Sequence, residues 1–249
     1  APLIRKSLVV LQFTVSITLI IGTIVIYQQI KHVKNRNLGY NKDALVQMQL
    51  NGSMQKNFAA IRQDFIQSGL VENAALADHE SLTSGNNTSG ITWPAKNPNS
   101  QIVISQRLVS PEYMATMGMK LTEGRDFEVT DQVRINDKGR PADSSQFYHV
   151  IITASMARLL GKGRVIGKTM EYGSNFGQMH LVVEGVVKDY VFGDLYSTSG
   201  EPVVFYCVPG ATTLMYVRIK PNTPPEKALA GMEAILKKEN PGYPFEYRF

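Results

Sequence analysis

Hydrophobic and polar positions divide the chain into two unequal parts. From Leu8 to Tyr27, LVVLQFTVSITLIIGTIVIY, 20 residues pass without a charge. As an α-helix such a run is about 30 Å long, which matches the hydrocarbon core of a bilayer. Beyond it, short alternating or helix-periodic segments take over, as in a water-soluble domain. The pattern predicts one membrane anchor carrying one globular head. A cleaved signal peptide would have a shorter apolar core and a small-residue cleavage site. Here Gln28, Gln29, Ile30 and Lys31 follow, with no Ala-x-Ala. A buried core helix of a soluble protein is the other competing reading. Ala1 stands at the start and a strand-like segment runs to Phe249, so the sequence reads as a piece of a longer chain.

Helical spacing continues through Ile30, Val33 and Asn37 to Leu38-Gly39-Tyr40, with Gly39 as the expected stop. Within the apolar run, Gln12, Ser16 and Thr23 share one side of the helical wheel. Small and polar residues on one face suit packing against another membrane helix.

The head opens with a strand from Ala44 to Leu50. A helix is predicted after it, with Ser53 as N-cap and Phe58, Ile61 and Phe65 on one face. Gly69 ends that helix, and Val71 to Ala77 is a second strand. The C-terminus repeats the pattern. Leu214 to Lys220 alternates as a strand, and Thr223-Pro-Pro-Glu226 reads as a capping box with proline at the first helical position. Leu229, Met232 and Leu236 line the following helix, Lys237 and Lys238 close its last turn, and Asn240-Pro-Gly breaks it. Phe245 to Phe249 is a final strand. Two β-α-β units sharing one sheet, with helices on one face, make an α+β layer.

Between the units, Ser81 to Ser100 reads as a polar loop that includes Trp93. Ile102 to Val109 is strand-like, and Pro111 to Met117 is a short helix capped by Ser110. Thr130 to Gln146 is a charged loop. Tyr148 to Thr153 is a strand, Ala154 to Leu160 a short helix, and Met179 to Val187 a long apolar strand. A second, β-rich lobe is expected near 110–212.

Charge sharpens this division. The net charge is +5, yet residues 1–42 hold six basic residues (Arg5, Lys6, Lys31, Lys34, Arg36, Lys42) and no acidic one. Residues 43–249 hold 20 basic and 21 acidic residues, so the head is neutral. Basic flanks suit anionic lipid head groups, whereas a nucleic-acid binder needs a basic stripe on its folded domain. Counting Lys and Arg around the run slightly favours a cytoplasmic head, although large domains cross membranes with little regard to charge. The single cysteine, Cys207, lies in an apolar strand-like run and reads as a small buried hydrophobe.

The chemical motifs are weak. Gly161-Lys-Gly-Arg-Val-Ile-Gly-Lys-Thr169 imitates a P-loop, but Lys162 occupies the position of its first glycine. The segment also follows a helix and leads into a strand, the reverse of a phosphate cradle. A glycine turn explains it better. His32, His79, His149 and His180 are scattered without metal-ligand spacing. Asp78-His79-Glu80 is the densest polar trio, and Asp189 and Asp194 flank a turn. Asn51-Gly-Ser and Asn87-Thr-Ser match a glycosylation pattern that is frequent by chance. No nucleophile elbow is present. We expect no enzyme, no metal and no cofactor in this chain.

Several segments together resemble MacB/FtsX-type ABC transporter permeases, especially the Bacteroidetes-like ones. They are Arg5-Lys-Ser-Leu with Val9-Val-Leu-Gln-Phe-Thr-Val-Ser; Asn37-Leu-Gly-Tyr-Asn-Lys-Asp43; and Val109-Ser-Pro-Glu-Tyr-Met-Ala-Thr-Met-Gly-Met-Lys-Leu-Thr-Glu-Gly-Arg-Asp-Phe127. Val150-Ile-Ile-Thr-Ala-Ser and Ile166-Gly-Lys168 follow, with Thr153 where Asn is usual. Val183-Glu-Gly-Val-Val-Lys-Asp-Tyr190, Glu201-Pro202 and Pro244-Phe-Glu-Tyr-Arg-Phe249 complete the order. The resemblance implies a bacterial inner-membrane permease subunit, N-terminus in the cytoplasm and head in the periplasm. Its expected parts are a membrane helix and stalk (1–40), a porter-like lobe (41–109 and 213–249) and an inserted β-rich lobe (110–212). Implied partners are an ABC ATPase subunit that uses the ATP, other membrane helices of the same permease, a second permease copy or half, and membrane lipid, with no nucleic acid. The implied output is substrate export or mechanical signalling (mechanotransmission). The ligand-binding ectodomain of a membrane sensor and an anchored hydrolase are the rival readings.

Overall fold

A computed structural model describes residues 2–35, 39–83, 85–94, 96–136, 147–174, 177–192 and 200–249. Two units separate, residues 1–37 and residues 38–249.

The first unit is helix α1, Pro2–Asn35. Within it, Ile4 to Lys31 is 28 residues long and apolar enough to cross a membrane. The polar residues inside that span do not break the helix. The hydroxyls of Thr14, Thr18 and Thr23 each donate to the carbonyl four residues earlier at 2.8 Å, so they need no water.

In the second unit, β1 (Leu45–Gln49), α2 (Phe58–Gln67) and β2 (Val71–Ala77) form the first β-α-β unit. Then come β3 (Asn86–Thr88), β4 (Ile91–Thr92), β5 (Ile104–Val109), α3 (Tyr113–Met117) and β6 (Leu121–Gly124). After them follow β7 (Phe147–Thr153), α4 (Ala154–Leu159), β8 (Thr169–Ser174), β9 (Gly177–Val187) and β10 (Val203–Cys207). The chain closes with β11 (Leu214–Ile219) and α5 (Pro225–Glu239).

One sheet threads the whole unit in the order β1-β11-β2-β5-β10-β7-β9-β8-β4, with β3 on β5 and β6 on β9. Strand β11 inserts antiparallel between β1 and β2. The C-terminal segment adds a single bridge, Gln47 to Arg248, outside β1. That is a split β-α-β arrangement. The expected final strand, Phe245 to Phe249, is thus reduced to one bridge.

Strand alternation assigns the cores. Ala74, Leu76, Met215 and Val217 face α2 and α5, where they meet Phe58, Ile61, Phe65, Ala228, Met232 and Leu236. The intervening Ala75, Ala77 and Tyr216 face the opposite side, with Tyr113, Met114 and Met117 of α3 and with Phe205 of β10. A third core joins Val150, Ile152, Leu181 and Val204 to Met156 of α4 and to Trp93. The period-2 pattern of each strand therefore feeds two cores at once.

Two expected helix caps fail because their side chains take long-range partners, and a third fails locally. Ser53 does not cap α2; its hydroxyl donates to the Glu239 carbonyl and to Asn240 Oδ1, and Asn57 precedes the helix. Ser110 does not cap α3; its Oγ accepts from the Leu76 amide at 3.0 Å. The box at Thr223 does not close, because Pro224 occupies the cap position and has no hydroxyl. The expected loop from Ser81 to Ser100 contains the short strands β3 and β4, and Trp93, just after β4, has a buried side chain.

Candidate functional site

The segment that follows α1 in sequence enters the head through residues 39–43, and a buried arginine holds it there. Arg218 lies in the apolar strand β11, only 6% exposed. Its Nε donates to the Thr116 carbonyl at 2.6 Å, Nη1 to the Asp43 carbonyl at 2.9 Å, and Nη2 to the Asn41 carbonyl at 2.8 Å. The planar guanidinium fork thus ties α3 and the entry segment to the central strand of the split β-α-β layer. Burial lowers the Arg218 pKa, opposed by the charges of Glu72 and Asp43. Three carbonyl acceptors keep the buried cation satisfied.

Further contacts fasten the same segment. The Asn41 amide donates to the Met117 carbonyl at 2.9 Å. The Ser81 and Tyr40 hydroxyls bond at 3.1 Å. Gly39 has φ +84°, and a Cβ there would lie 2.5 Å from the Asp189 carbonyl oxygen and 2.6 Å from the Tyr190 Cα. Glycine is required at this point by close backbone approach. The helix is described as far as Asn35, and the expected stretch to Leu38 lies outside the described residues; Gly39 itself, with its positive φ, seats the linker against the head.

A second buried cation lies nearby in the same core. Arg107, 2% exposed, donates from Nε to the Tyr190 hydroxyl at 3.1 Å and from Nη2 to the Thr83 carbonyl, over the Phe192 ring. Burial opposes its charge, yet Tyr190 holds the pKa upward overall. Burial also raises Tyr190 itself and Tyr113, and pushes Tyr216 up to about 12. These phenols are neutral structural groups at physiological pH. The Tyr216 hydroxyl accepts from the Ser81 amide at 2.8 Å, next to Tyr40.

Elsewhere, Arg125 grips Asp131 with two bonds of 2.6 and 3.0 Å and reaches Glu184, which meets His149 at 2.6 Å. For Asp131, burial works upward, but the Arg125 bonds and the Glu128 amide bring the net direction below the usual carboxylate range.

The residues singled out by sequence fall into place as follows. Gln12, Ser16 and Thr23 are exposed on α1. The trio Asp78-His79-Glu80 does not converge. Asp78 is buried 2.9 Å from His79, while Glu80 turns to Gln47 and Arg248. Gly161, Gly163 and Gly167 all have positive φ in a turn between α4 and β8, which is no phosphate cradle. Cys207 is fully buried and its thiol pKa is raised by that burial. Asp189 accepts from the Ser155 amide at 2.6 Å and from Arg158; Asp194 lies outside the described residues. Among the described residues, no cluster of His, Cys, Asp or Glu could hold a metal ion. Arg218 is the buried linking residue that pattern reading missed, although a lone arginine in LMYVRI is the available signal.

The family model described as the MacB-like periplasmic core domain matches residues 7–235. Among solved structures, the periplasmic region of MacB from Actinobacillus actinomycetemcomitans aligns with TM-score 0.50 at 14% identity, covering 87% of this chain and 92% of that one. A permease-protein domain from Porphyromonas gingivalis aligns with TM-score 0.48 at 16% identity, covering 82% and 86%. The extracellular domain of the noncanonic ABC-type transporter YknZ from Gram-positive bacteria gives 0.47 at 14%, covering 82% and 97%. The likeness at these identities is one of fold. No curated protein matches. The chain, apolar helix and sheet-rich head together, belongs to the MacB-like periplasmic core domain family of ABC transporter permease components.

Proposed function

We propose that this chain is the part of an inner-membrane permease that carries displacement between membrane and periplasm. A separate ATPase hydrolyses ATP, α1 moves, and the head follows through the segment at 39–43. The single observation behind this reading is the family match, which spans the apolar helix and the head in one continuous stretch. The Arg218 fork supports it, because three bonds to three carbonyls resist pulling in more than one direction.

In this reading the chain does no covalent chemistry and holds no cofactor. The stalk is 1–40, the porter-like lobe is 41–109 with 213–249, and the β-rich lobe is 110–212. Gln12, Ser16 and Thr23 form the face that packs against other helices of the permease or a second copy. Substrate export and mechanical signalling are the two outputs this device can serve.

Affinity purification of the intact protein from membranes tests the reading. It should bring down an ABC ATPase in fixed stoichiometry. Recovery without any nucleotide-hydrolysing subunit, from membranes where the protein is folded, refutes it. The purified protein should also turn over no ester, peptide or nucleotide.

A further inference from the structure

One cleft of the head carries charged groups that the fold does not use. It encloses about 630 Å³ between α2 and the start of α3. That volume falls in the range of small-molecule sites. Apolar surface lines its base: Phe58, Leu76 and Pro111 are buried, and Val129, 72% exposed, stands at its mouth. Hydrogen bonds hold its shape. Just before α2, Gln55 Nε2 donates to the Gly210 and Thr212 carbonyls at 3.0 and 2.9 Å, and on α2 Arg62 Nε donates to Asn73 Oδ1 at 3.0 Å.

Charge is segregated across the cleft. Lys56 and Arg62 line the α2 side, and Glu112 lines the α3 side. Among the described residues, none of the three is in an ion pair. Glu112 Oε2 is buried and accepts no hydrogen bond. A buried carboxylate oxygen without a donor is a costly exception in a folded protein. Glu112 also neighbours a second acid: burial, and with it the Glu112 charge, raises the Asp126 carboxyl above its usual range. A ligand that is only an anion meets Glu112, and one that is only a cation meets Lys56 and Arg62. A molecule without charge leaves all three unpaired.

We propose that this cleft binds a small zwitterion with an apolar body, of the class of apolar dipeptides. Its ammonium donates to Glu112, its carboxylate accepts from Lys56 and Arg62, and its side chains cover Phe58 and Pro111. The two charged ends fix its direction in the cleft. The site is independent of the displacement reading, so either can fail alone.

The test uses the full chain in phosphatidylcholine nanodiscs, with empty nanodiscs as the blank. Saturation-transfer NMR on a pool of dipeptides built from Ala, Val, Leu, Ile and Phe finds the tightest binder, and calorimetry measures it. N-acetylation of that dipeptide should weaken binding about tenfold or more, the loss of one charged hydrogen bond. Glu112→Gln should weaken the free dipeptide to the same degree, yet leave the N-acetyl form as in wild type. Lys56→Gln, on an exposed side chain, should weaken the free dipeptide several-fold and spare its C-terminal amide, which keeps the test open if Glu112→Gln misfolds. Glu123→Gln, exposed on β6, should change nothing. Absence of any saturation at millimolar dipeptide overturns the proposal. So does binding that survives N-acetylation, or binding that Glu112→Gln and Glu123→Gln affect alike.

Discussion

Replacing Gly39 by alanine is the sharpest single-atom perturbation of the entry segment. At φ +84° an L-residue pays about 1–2 kcal/mol for the left-handed backbone. The added Cβ would also stand 2.5 Å from the Asp189 carbonyl oxygen, 2.6 Å from Tyr190 Cα and 2.7 Å from Tyr190 Cβ. Backbone cannot rotate away, so overpacking adds about 1–3 kcal/mol. Relief comes from lifting residues 39–43 off the head, which breaks the Arg218 bonds to Asn41 and Asp43 and unpacks Tyr40 from the core edge. The combined cost, about 2–5 kcal/mol, raises the lifted population roughly thirtyfold or more relative to wild type. Trypsin cleavage after Lys42 reads that opening directly, because proteolysis follows local unfolding. The rate at the Lys42–Asp43 bond should rise at least about tenfold in Gly39→Ala under conditions where the head still unfolds as one cooperative unit well above the assay's denaturant concentration. Gly69→Ala is the control: it carries similar strain, φ +73°, with nothing within 4 Å of the new Cβ. It should leave the Lys42 rate unchanged. Unchanged cleavage in Gly39→Ala, with the head folded, refutes the claim that close approach seats the linker.

Other outcomes follow from the same geometry. Arg218→Met keeps the volume but strands three carbonyls, and should destabilise the head by about 2–4 kcal/mol in urea unfolding, less than the gross bond energies because Met needs no desolvated charge. Phe65→Ala empties a fully buried site between α2 and the sheet and should cost about 3–5 kcal/mol. Asp131 has a folded pKa below its unfolded value, so its contribution is present above the unfolded value near about 4 and fades as pH falls through the lower folded value. The stability gap between wild type and Arg125→Gln should be constant at neutral pH and shrink in acid; a gap that instead grows on acidification contradicts the assignment.

Elements with strong local periodicity were legible in the chain. The α2 face of Phe58, Ile61 and Phe65 is buried as its spacing predicts, and β2 spans Val71–Ala77 as read. What escaped was decided by distant partners. Ser53 and Asn240 meet across 187 positions, and no local window carries that information. Strands β3 and β4 are two or three residues long and largely polar, so they exist only because β5 and β8 present open edges. The Arg218 fork draws its three acceptors from the segment 41–43 and from Thr116 in α3, and a sequence shows only an arginine among hydrophobes. Gly39 stood out in the sequence as a helix stop, but its close approach to Asp189 and Tyr190, about 150 positions away, could not be read there.

The central claim, that displacement passes along one stiff path from membrane to head, is tested most directly by inserting Gly-Gly after Val33. The full permease with its ATPase is reconstituted in vesicles, and ATP hydrolysis and transport are measured together. The account predicts that hydrolysis continues and the head stays folded, while transport falls to background. Transport at the wild-type rate per ATP in the insertion variant would contradict it.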